Sequence, residues 1–374
     1  MEFLTILEDH FPRLPRKRWL FYSLLMLLLT LFIYASAFIS PSKVWWMAFV
    51  SYLIPLLLIF HSVMIILWYF SKRNAFYLHL VLLLCGFPFI NATFSLSFPD
   101  WEPQNVSAQK QHFTVISYNV RVFNVYDHLH HQYKEAKEIT NWVKAANADV
   151  FCFQEYYSQP EHPIFDMNGF FQEKNYHAFV HAILKNRVSG EFGLAIFSKF
   201  PIARTGVVPF QISTKFNKAI FADLLLFGDT VRVINMHLQS IHLDEKKMLD
   251  ENTSEEEVLG VIEKLKNGFL MRATQIEDLR WFIDKSPYPI ILCGDLNDTP
   301  YSFAYQTLHV RLENAFEAEG NGLGFTYNGK LFFLRIDHQF FSPSRLDPLK
   351  FKVHREATAS DHFPISVLYE LEKN

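Results

Sequence analysis

The hydrophobic positions of the chain follow two patterns that meet near residue 100. Between Trp19 and Pro99 the sequence contains no Asp or Glu, and its only basic residues are Lys43, Lys72 and Arg73. Beyond this region, short runs rich in Val, Ile and Phe alternate with polar stretches and amphipathic segments. The pattern predicts an apolar N-terminal region followed by a soluble globular domain.

Three membrane spans are predicted in the N-terminal region, at about 19–39, 44–70 and 76–96. Each is long enough to cross a hydrocarbon core of about 30 Å. The third span is the weakest because Pro88 and Asn91 interrupt it. A cleaved signal peptide is the alternative, but three spans in series without an obvious cleavage site favour an integral membrane protein.

Basic residues beside the spans predict their orientation. Residues 1–18 form a basic tail, and Lys72 and Arg73 follow the second span. Because cytoplasmic loops are enriched in Lys and Arg, both sets are expected in the cytoplasm. Three spans then place the rest of the chain on the non-cytoplasmic side of a plasma or inner membrane. If the third span does not cross, the domain stays in the cytoplasm.

Residues 112–374 are predicted to form one domain after a polar linker at 99–111. The predicted strands are 112–120, 149–157, 192–202, 219–227, 230–238, 290–293, 335–341 and 363–371. Helices are predicted at 134–148 and over most of 241–285, where a Thr/Ser start and a stop at Gly268 are expected. Many strands in hairpin-like pairs with few helices predict an α/β fold (α+β) with sheets packed face to face and helices outside.

Polar side chains occur where the predicted strands begin or end. They are Asn119, Glu155, His237, Asp295, Asn297, Asp337, His338, Asp361 and His362. Each of them alone has an ordinary explanation as a turn or solvated residue. Their recurrence at strand ends predicts that loops at one edge of a packed sheet bring them into a single cleft.

The chemistry of this set is coherent. Carboxylates and amides without thiolates predict an oxygen-rich site suited to Mg²⁺ or Mn²⁺. Histidines with carboxylates beside them supply a proton donor and a phosphate contact. A hard cation together with acid–base groups fits the hydrolysis of a phosphoester.

The motifs SYNV, QE, NMHL, GDLN, RIDH and SDHFPI occur in the order and spacing of the endonuclease/exonuclease/phosphatase superfamily. The chain resembles this superfamily over about residues 112–371. Its members include pancreatic-type deoxyribonucleases, abasic-site endonucleases, neutral sphingomyelinases and inositol polyphosphate phosphatases. The resemblance implies a four-layered α/β sandwich of two mainly antiparallel sheets flanked by helices, here preceded by a three-helix transmembrane region.

The resemblance also implies roles in metal binding and water activation. Glu155 is similar to the principal metal ligand of the superfamily, with Asn119 and Asp361 as supporting ligands for Mg²⁺ or Mn²⁺. Asp295 resembles the residue that positions or deprotonates the attacking water, and Asn297 the residue that orients the water or the phosphate. The implied reaction is in-line attack of water with inversion at phosphorus.

Two histidines complete the implied site. His362 resembles the phosphate-contacting histidine, with Asp337 fixing its tautomer. His237 matches a histidine near the leaving oxygen in deoxyribonucleases and sphingomyelinases, and abasic-site endonucleases lack it. Arg187 lies in a loop before a predicted strand and is a candidate contact for substrate phosphate. His338 is expected to be a packing residue.

Charge and cysteine content limit the remaining possibilities. From Gln111 onward the chain has 27 Lys and Arg against 33 Asp and Glu. A mildly acidic domain is not a general binder of polyanions, which requires a basic face. The three cysteines support no disulfide framework and are expected to be small buried hydrophobic residues.

The substrate stays open at this stage. A nuclease or general phosphodiesterase ranks first, and a sphingomyelinase- or phospholipase-C-like lipid phosphodiesterase ranks second. A monoesterase for inositol phosphates ranks third, because the basic motifs of those phosphatases are absent from the sequence. A non-catalytic binding module is a separate alternative. The predicted partners are the membrane and a phosphodiester substrate, either nucleic acid or a phospholipid headgroup; no protein partner is predicted.

Overall fold

The computed structural model of the chain describes residues 16–71, 74–97, 111–129, 133–212, 216–240 and 254–372. Residues 1–15 of the predicted cytoplasmic tail lie outside the described residues. The predicted linker at 99–111 also lies outside them, except for Gln111.

The N-terminal helical region, defined here as residues 16–93, contains five described helices. They are α1 (Arg16–Ser36), α2 (Met47–Ser51), α3 (Ile54–Phe70), α4 (Ala75–Cys85) and α5 (Phe87–Thr93). The segments Lys17–Ser36 and Met47–Phe70 are long and apolar enough to cross a membrane. The pair α4 and α5 is bent by 68° and provides a third crossing only if the two helices act as one span. The bend falls at Gly86, and Pro88 is the second residue of α5.

A buried polar cluster holds three of these helices together. His61 of α3 lies with Nε2 3.1 Å from the hydroxyl of Thr30 in α1. Its Nδ1 lies 2.9 Å from Nδ1 of His79 in α4. Inside an apolar bundle, such polar contacts hold neighbouring helices in register. The two histidines, which are isolated in the sequence, are therefore partners in the structure.

Fourteen strands are found in the described part of the chain. They are β1 (Ser95–Leu96), β2 (His112–Asn119), β3 (Val150–Ser158), β4 (His177–Lys185), β5 (Glu191–Ser198), β6 (Ile202–Val207), β7 (Lys218–Leu226), β8 (Asp229–His237), β9 (Ile290–Asp295), β10 (Glu313–Asn314), β11 (Asn321–Gly322), β12 (Asp337–Phe341), β13 (Leu346–Val353) and β14 (Ile365–Leu371). The first six-stranded sheet has the order β10-β12-β9-β8-β7-β6, and the second has the order β13-β14-β2-β3-β5-β4.

Helices cover the outer faces of both sheets. They are α6 (Lys134–Ala145), α7 (Met167–Glu173), α8 (Glu255–Asp284), α9 (Phe303–His309) and α10 (Ala315–Glu319). One apolar core, including Val115, Cys152 and Cys293, lies between the sheets. Two further cores lie outside, one under α6 and α7 and one under α8 and α9. The prediction of a four-layered sandwich is confirmed.

The parallel strand pairs position the functional edge of the sandwich. All other neighbours in the two sheets are antiparallel, but β2 pairs with β3 and β8 pairs with β9 in parallel. Each pair is connected through a helix, as parallel pairs require. The carboxyl ends of the paired strands lie at one edge of each sheet, where ligands of α/β sheets bind.

Three buried amides join the two sheets close to this edge. The side chain of Asn235 donates to the carbonyls of Phe153 and Ala195. Gln154 Nε2 donates to Asn235 Oδ1 over 2.6 Å, and Gln339 Nε2 donates to carbonyls of the second sheet. Asn235 and Gln339 are each two residues from a polar strand-end residue, His237 and Asp337, and so lie on the same face of their strands.

Helix α8 and the edge strands test the finer sequence-based expectations. The stop predicted at Gly268 is wrong, because α8 continues to Asp284 and buries this glycine. The capping box of Ser254 and Glu257 confirms the predicted start of the helix. Strands β4 and β13 were not predicted, because their exposed polar positions obscure the alternation of an edge strand.

Candidate active site

Polar side chains from both sheets meet at the edge formed by the parallel strands. Asn119 ends β2, and Glu155 lies near the end of its partner β3. His237 ends β8, and Asp295 ends β9. In the register of β8 and β9 these last two residues are opposite each other. The repeated strand–helix–strand unit therefore brings one polar pair from each sheet to the same end of the molecule.

Two of the candidate residues have a left-handed backbone. Glu155 has φ of 49° where the pairing of β3 with β5 is irregular, and Asn297 has φ of 53° in the turn after β9. Such conformations are uncommon for residues other than glycine and cluster at functional sites. Gly294 has φ of 133°, and a Cβ there would lie 2.0 Å from the carbonyl oxygen of Met236. Glycine is thus required for the close approach of β9 to β8.

Asp295 is the centre of the site and is almost completely buried. Asn119 Nδ2 donates to Asp295 Oδ2 over 3.1 Å, and the backbone N–H of Asn297 donates to Oδ1 over 2.8 Å. The Nε2 atoms of His237 and His362 lie 3.7 and 3.8 Å from Asp295 Oδ2. One carboxylate therefore contacts groups from both sheets.

Asp337 and His362 form a buried pair beside this carboxylate. His362 Nδ1 lies 2.9 Å from Asp337 Oδ2, so the opposite ring nitrogen, Nε2, is directed towards Asp295. Asp337 is opposite Asp295 in the register of β12 and β9. Side-chain atoms of Asp295, Asp337 and His362 all lie within 4.8 Å of one another.

Glu155 and Asp361 form the more accessible part of the site. Their side chains are 36% and 33% exposed. Glu155 Oε1 lies 3.8 Å from His237 Nε2, and Asp361 Oδ2 lies 3.7 Å from the half-exposed guanidinium of Arg121. The Ser360 hydroxyl donates to the Asn119 carbonyl over 2.9 Å and joins the Asp361 turn to the end of β2.

The electrostatics of the buried groups are strongly coupled. Burial raises the pKa of the Asp295 carboxyl to about 6, and the nearby charge of Asp337 acts in the same direction. Burial opposes a charge on His362, but the carboxylates of Asp337 and Asp295 outweigh it and raise the pKa of His362 to about 10. The site thus concentrates negative charge, and this charge favours the binding of a cation.

The donor set fits a hard divalent cation. The contacts around Asp295 are made by carboxylates, an amide and imidazoles, and the two described buried cysteines lie in the core between the sheets. Partly exposed carboxylates allow a metal ion to keep water ligands, as Mg²⁺ requires. The geometry gives one candidate group, Asp295, Asp337 and His362. The superfamily resemblance implies a second one, Glu155, Asn119 and Asp361. Asp337 and His362 are hydrogen-bonded to each other, and in the second group Asn119 Oδ1 accepts from the backbone N–H of Arg121 over 3.1 Å. The carboxylates of Glu155 and Asp361 are the most accessible oxygen ligands of the two groups.

The other candidates from the sequence lie further from this centre or have local contacts. Asn297 donates one amide hydrogen to the carbonyl of Leu238 over 3.0 Å. Arg187 is exposed in the β4–β5 turn at the same edge of the second sheet, and the described contacts do not link it to Asp295. His338 is buried against the ring of Tyr305, as expected for a packing residue.

Sequence reasoning missed the residues that support the site from behind. Asp298 is buried and accepts from Arg272 Nε over 3.1 Å. The Thr326 hydroxyl accepts from the backbone N–H of Asp337, and the ring of Tyr327 packs edge-on against His362 with centroids 5.5 Å apart. Thr326 and Tyr327 do not follow an apolar strand in the sequence, and Asp298 lies behind the turn residues Asp295 and Asn297, so the polar strand-end pattern did not identify them.

The chain belongs to the Endonuclease/Exonuclease/phosphatase family, which it matches over residues 116–362. The match contains Asn119, Glu155, His237, Asp295, Asn297, Asp337, Asp361 and His362. The N-terminal helical region, at residues 16–93, matches a Domain of unknown function (DUF8431). No curated protein matches the chain. The family defines the domain as a phosphoesterase-type hydrolase domain.

Several solved structures are similar to the chain at low sequence identity. The human Nocturnin catalytic domain with bound sulfate anion is 15% identical, with a TM-score of 0.50, over 71% of this chain and 98% of that chain. An endonuclease/exonuclease/phosphatase family protein from Bacteroides thetaiotaomicron is 20% identical, with a TM-score of 0.46, over 71% of this chain and 96% of that chain. An endonuclease/exonuclease/phosphatase from Beutenbergia cavernae is 16% identical, with a TM-score of 0.47, over 70% of this chain and 72% of that chain.

Proposed function

We propose that this chain is a divalent-metal-dependent phosphodiester hydrolase that is tethered to a membrane, with its catalytic domain outside the cytoplasm. One observation carries the proposal. Carboxylate, amide and imidazole groups from both sheets converge on the buried carboxylate of Asp295. A binding module has no need for two histidines and an activated carboxylate at one point, whereas hydrolysis requires both acid and base groups.

Glu155, Asn119 and Asp361 would hold the metal ion. We assign Mg²⁺ or Mn²⁺, since the three side chains offer oxygen ligands only. The bound ion supplies Lewis-acid polarisation of a phosphoryl oxygen.

Asp295 is the proposed base for the attacking water. Hydrogen bonds from Asn119 and from the backbone of Asn297 fix the orientation of its carboxylate. The water loses a proton towards Asp295 as its oxygen forms a bond to phosphorus. The bond from phosphorus to the leaving oxygen breaks in line with this attack, and the leaving oxygen takes up a proton. The products are a phosphomonoester and an alcohol.

The two histidines act on the phosphate and the leaving group. The cationic ring of His362, held through Nδ1 by Asp337, presents Nε2 as a donor to a phosphoryl oxygen. His237 lies between Glu155 and Asp295 and is the proposed proton donor to the leaving oxygen. Preorganised donors of this kind stabilise the charge that develops in the transition state.

Hydrolysis of bis-p-nitrophenyl phosphate by the full chain tests the reaction class. We expect release of nitrophenol with Mg²⁺ or Mn²⁺ and loss of release in Glu155→Ala and His362→Ala. Binding of phosphodiesters without turnover under both metals would favour a binding module instead.

The position of the domain relative to the membrane is tested separately. A reporter that is active only outside the cytoplasm is fused after residue 100, and a second fusion is made after Arg73. We expect activity from the first fusion and none from the second, because Lys72 and Arg73 mark a cytoplasmic loop. The reverse pattern would contradict the proposed topology.

A further inference from the structure

The N-terminal helical region contacts the domain beside the candidate active site. The hydroxyl of Tyr52, in the turn between α2 and α3, donates to Asp298 Oδ1 over 2.9 Å. Asp298 directly follows Asn297, and its other carboxylate oxygen accepts from the buried Arg272. The turn that carries the proposed base is therefore joined to the helices that precede the domain.

A second contact involves the segment that leads into Asp337. The guanidinium of Arg335, two residues before Asp337, donates to the carbonyl of Ala92 in α5. The same guanidinium stacks over the ring of Phe316, 3.8 Å from its centroid. Asn91 of α5 donates to Glu317 over 3.4 Å. The edge of the sandwich that holds the site is thus also the edge that meets the helical region.

Two exposed phenylalanines lie in the segment between Tyr327, whose ring packs against His362, and Arg335. We define the aromatic loop as residues 327–334. It is closed at its base by hydrogen bonds from Thr326 and Tyr327 to the carbonyl of Leu334. Phe332 and Phe333 near its tip are 65% and 52% exposed. An adjacent pair of exposed phenylalanines is unfavourable in water and marks an interaction surface.

The base of the aromatic loop is fixed to the catalytic residues. Tyr327 pairs with His362 through a β-bridge. The backbone N–H of Asn328 donates to the Asp361 carbonyl over 2.7 Å, and its side chain donates to the carbonyl of Ser360. The aromatic loop therefore begins directly beside the turn that carries Asp361 and His362.

Helix α8 presents a second apolar surface next to the helical region. Phe269 of α8 packs against Phe49, with ring centroids 5.1 Å apart. On the preceding turns Val258, Leu259 and Ile262 are exposed. Val258, Ile262 and Phe269 are separated by four and seven residues and so share one face of the helix. The apolar face that contacts the helical region continues beyond it without cover from the described residues.

We infer that the aromatic loop and this face of α8 lie in the surface of the membrane that the N-terminal helices cross, and that the substrate is a phosphodiester lipid of that membrane. The inference rests on the proposed hydrolase function and reverses the order of substrates favoured by the sequence. Helices that cross the bilayer place the contacted edge of the domain at the headgroups, where aromatic side chains are favourable. The acidic balance of the domain does not favour polynucleotides.

The full chain in nanodiscs provides the main test. The discs contain phosphatidylethanolamine, phosphatidylglycerol, phosphatidylcholine and sphingomyelin, and cleaved headgroups and lipids are measured by mass spectrometry. The test variant is Phe332→Ser/Phe333→Ser. The control variant is Phe227→Ser/Trp281→Ser, which removes two exposed aromatic side chains. Phe227 lies in the β7–β8 turn, at the opposite end of β8 from His237.

The wild-type chain is expected to cleave at least one of these lipids with Mg²⁺ or Mn²⁺. Loss of two interfacial phenylalanines should lower this rate about tenfold or more. Hydrolysis of soluble bis-p-nitrophenyl phosphate should stay within about twofold in the same variant. The control variant should match the wild type on both substrates.

The two levels of the proposal fail in different ways. Absence of bis-p-nitrophenyl phosphate hydrolysis by the wild type would overturn the hydrolase function itself. Intact hydrolysis of that substrate without cleavage of any lipid, or faster cleavage of plasmid DNA or RNA than of lipid, would overturn the lipid assignment alone. Equal lipid rates in the test and control variants would overturn the role of the aromatic loop.

A fluorescence measurement locates the loop without using activity. In a Cys85→Ala background, Phe332→Cys and Phe227→Cys are labelled with an environment-sensitive dye. The inference predicts a blue shift and quenching by brominated acyl chains at position 332 only. Equal, water-like emission at both positions would show that the aromatic loop does not enter the lipid surface.

Discussion

Tyr52 donates its hydroxyl hydrogen to Asp298 across 2.9 Å, although 246 positions separate the two residues in the chain. Asp298 also accepts from Arg272, which is 1% exposed. The contact joins the N-terminal helical region to the turn behind Asp295. The N-terminal helical region is therefore packed directly against the domain at the functional edge.

This contact predicts a graded loss of stability. Tyr52→Phe removes one hydrogen bond and should lower the free energy of unfolding by about 1 kcal/mol. Asp298→Ala leaves the Arg272 guanidinium buried without its carboxylate and should cost about 3–5 kcal/mol. Thermal unfolding in nanodiscs measures both, with Tyr126→Phe as an exposed control. Unfolding of Tyr52→Phe at the same temperature as the control would contradict the contact.

Asp337→Asn should show whether Asp337 acts on the chemical step through His362 or only on substrate binding. The amide keeps the shape of the carboxyl group. It removes the negative charge that stabilises the His362 cation and holds the orientation of its ring. We expect kcat for a soluble phosphodiester to fall about 100- to 10,000-fold with a small change in KM. Asp347→Asn, at an exposed position on β13, should be unaffected. A change confined to KM would show that Asp337 does not act through the chemical step.

Metal dependence should be sensitive to Glu155. Removal of divalent ions by EDTA should abolish turnover, and Mg²⁺ or Mn²⁺ should restore it. Glu155→Gln should raise the metal concentration for half-maximal activity at least about tenfold, because a ligand charge is lost. Identical metal titrations for wild type and variant would move the metal site to the buried group around Asp295.

The pair of His309 and Glu317 predicts how stability depends on pH. A hydrogen bond of 3.1 Å to Glu317 raises the pKa of His309. Burial acts against ionisation of Glu317, but its bonds to His309 and Tyr305 outweigh this effect and lower its pKa. The contribution of His309 is complete below about pH 6.5, its ordinary pKa, and is lost as pH rises through the raised value.

The variant His309→Gln should lack this pH-dependent contribution to stability. Melting temperatures of the wild type should fall between pH 6.5 and 8.5 by more than those of the variant. Melting curves recorded across that range make the comparison. Parallel curves for the two proteins would show that the pair adds no stability on folding.

The location of the polar residues at one edge could be predicted from the sequence, because the carboxyl ends of parallel strands meet at the same edge of a sheet. Asn119, Glu155, His237 and Asp295 follow apolar runs, and the pairing of β2 with β3 and of β8 with β9 brings them to one edge. The fold class followed from the same runs and from the superfamily motifs. The roles of these residues in metal binding and catalysis remain predictions.

Long-range contacts without a periodic signal could not be predicted. The bond from Tyr52 to Asp298 and the pairing of His61 with His79 depend on packing between distant helices. The stop expected at Gly268 failed because the helix buries this residue where it meets the N-terminal helical region. At Gly268, tertiary contacts outweighed the local preference of the sequence.

The rate of bis-p-nitrophenyl phosphate hydrolysis by Asp295→Asn tests the central claim most directly. This substitution keeps the size of the side chain but removes the proton acceptor on which both sheets converge. With saturating Mg²⁺ or Mn²⁺, the full-length variant should be slower than the wild type by about a thousandfold or more. Hydrolysis by Asp295→Asn at the wild-type rate would contradict the proposed site.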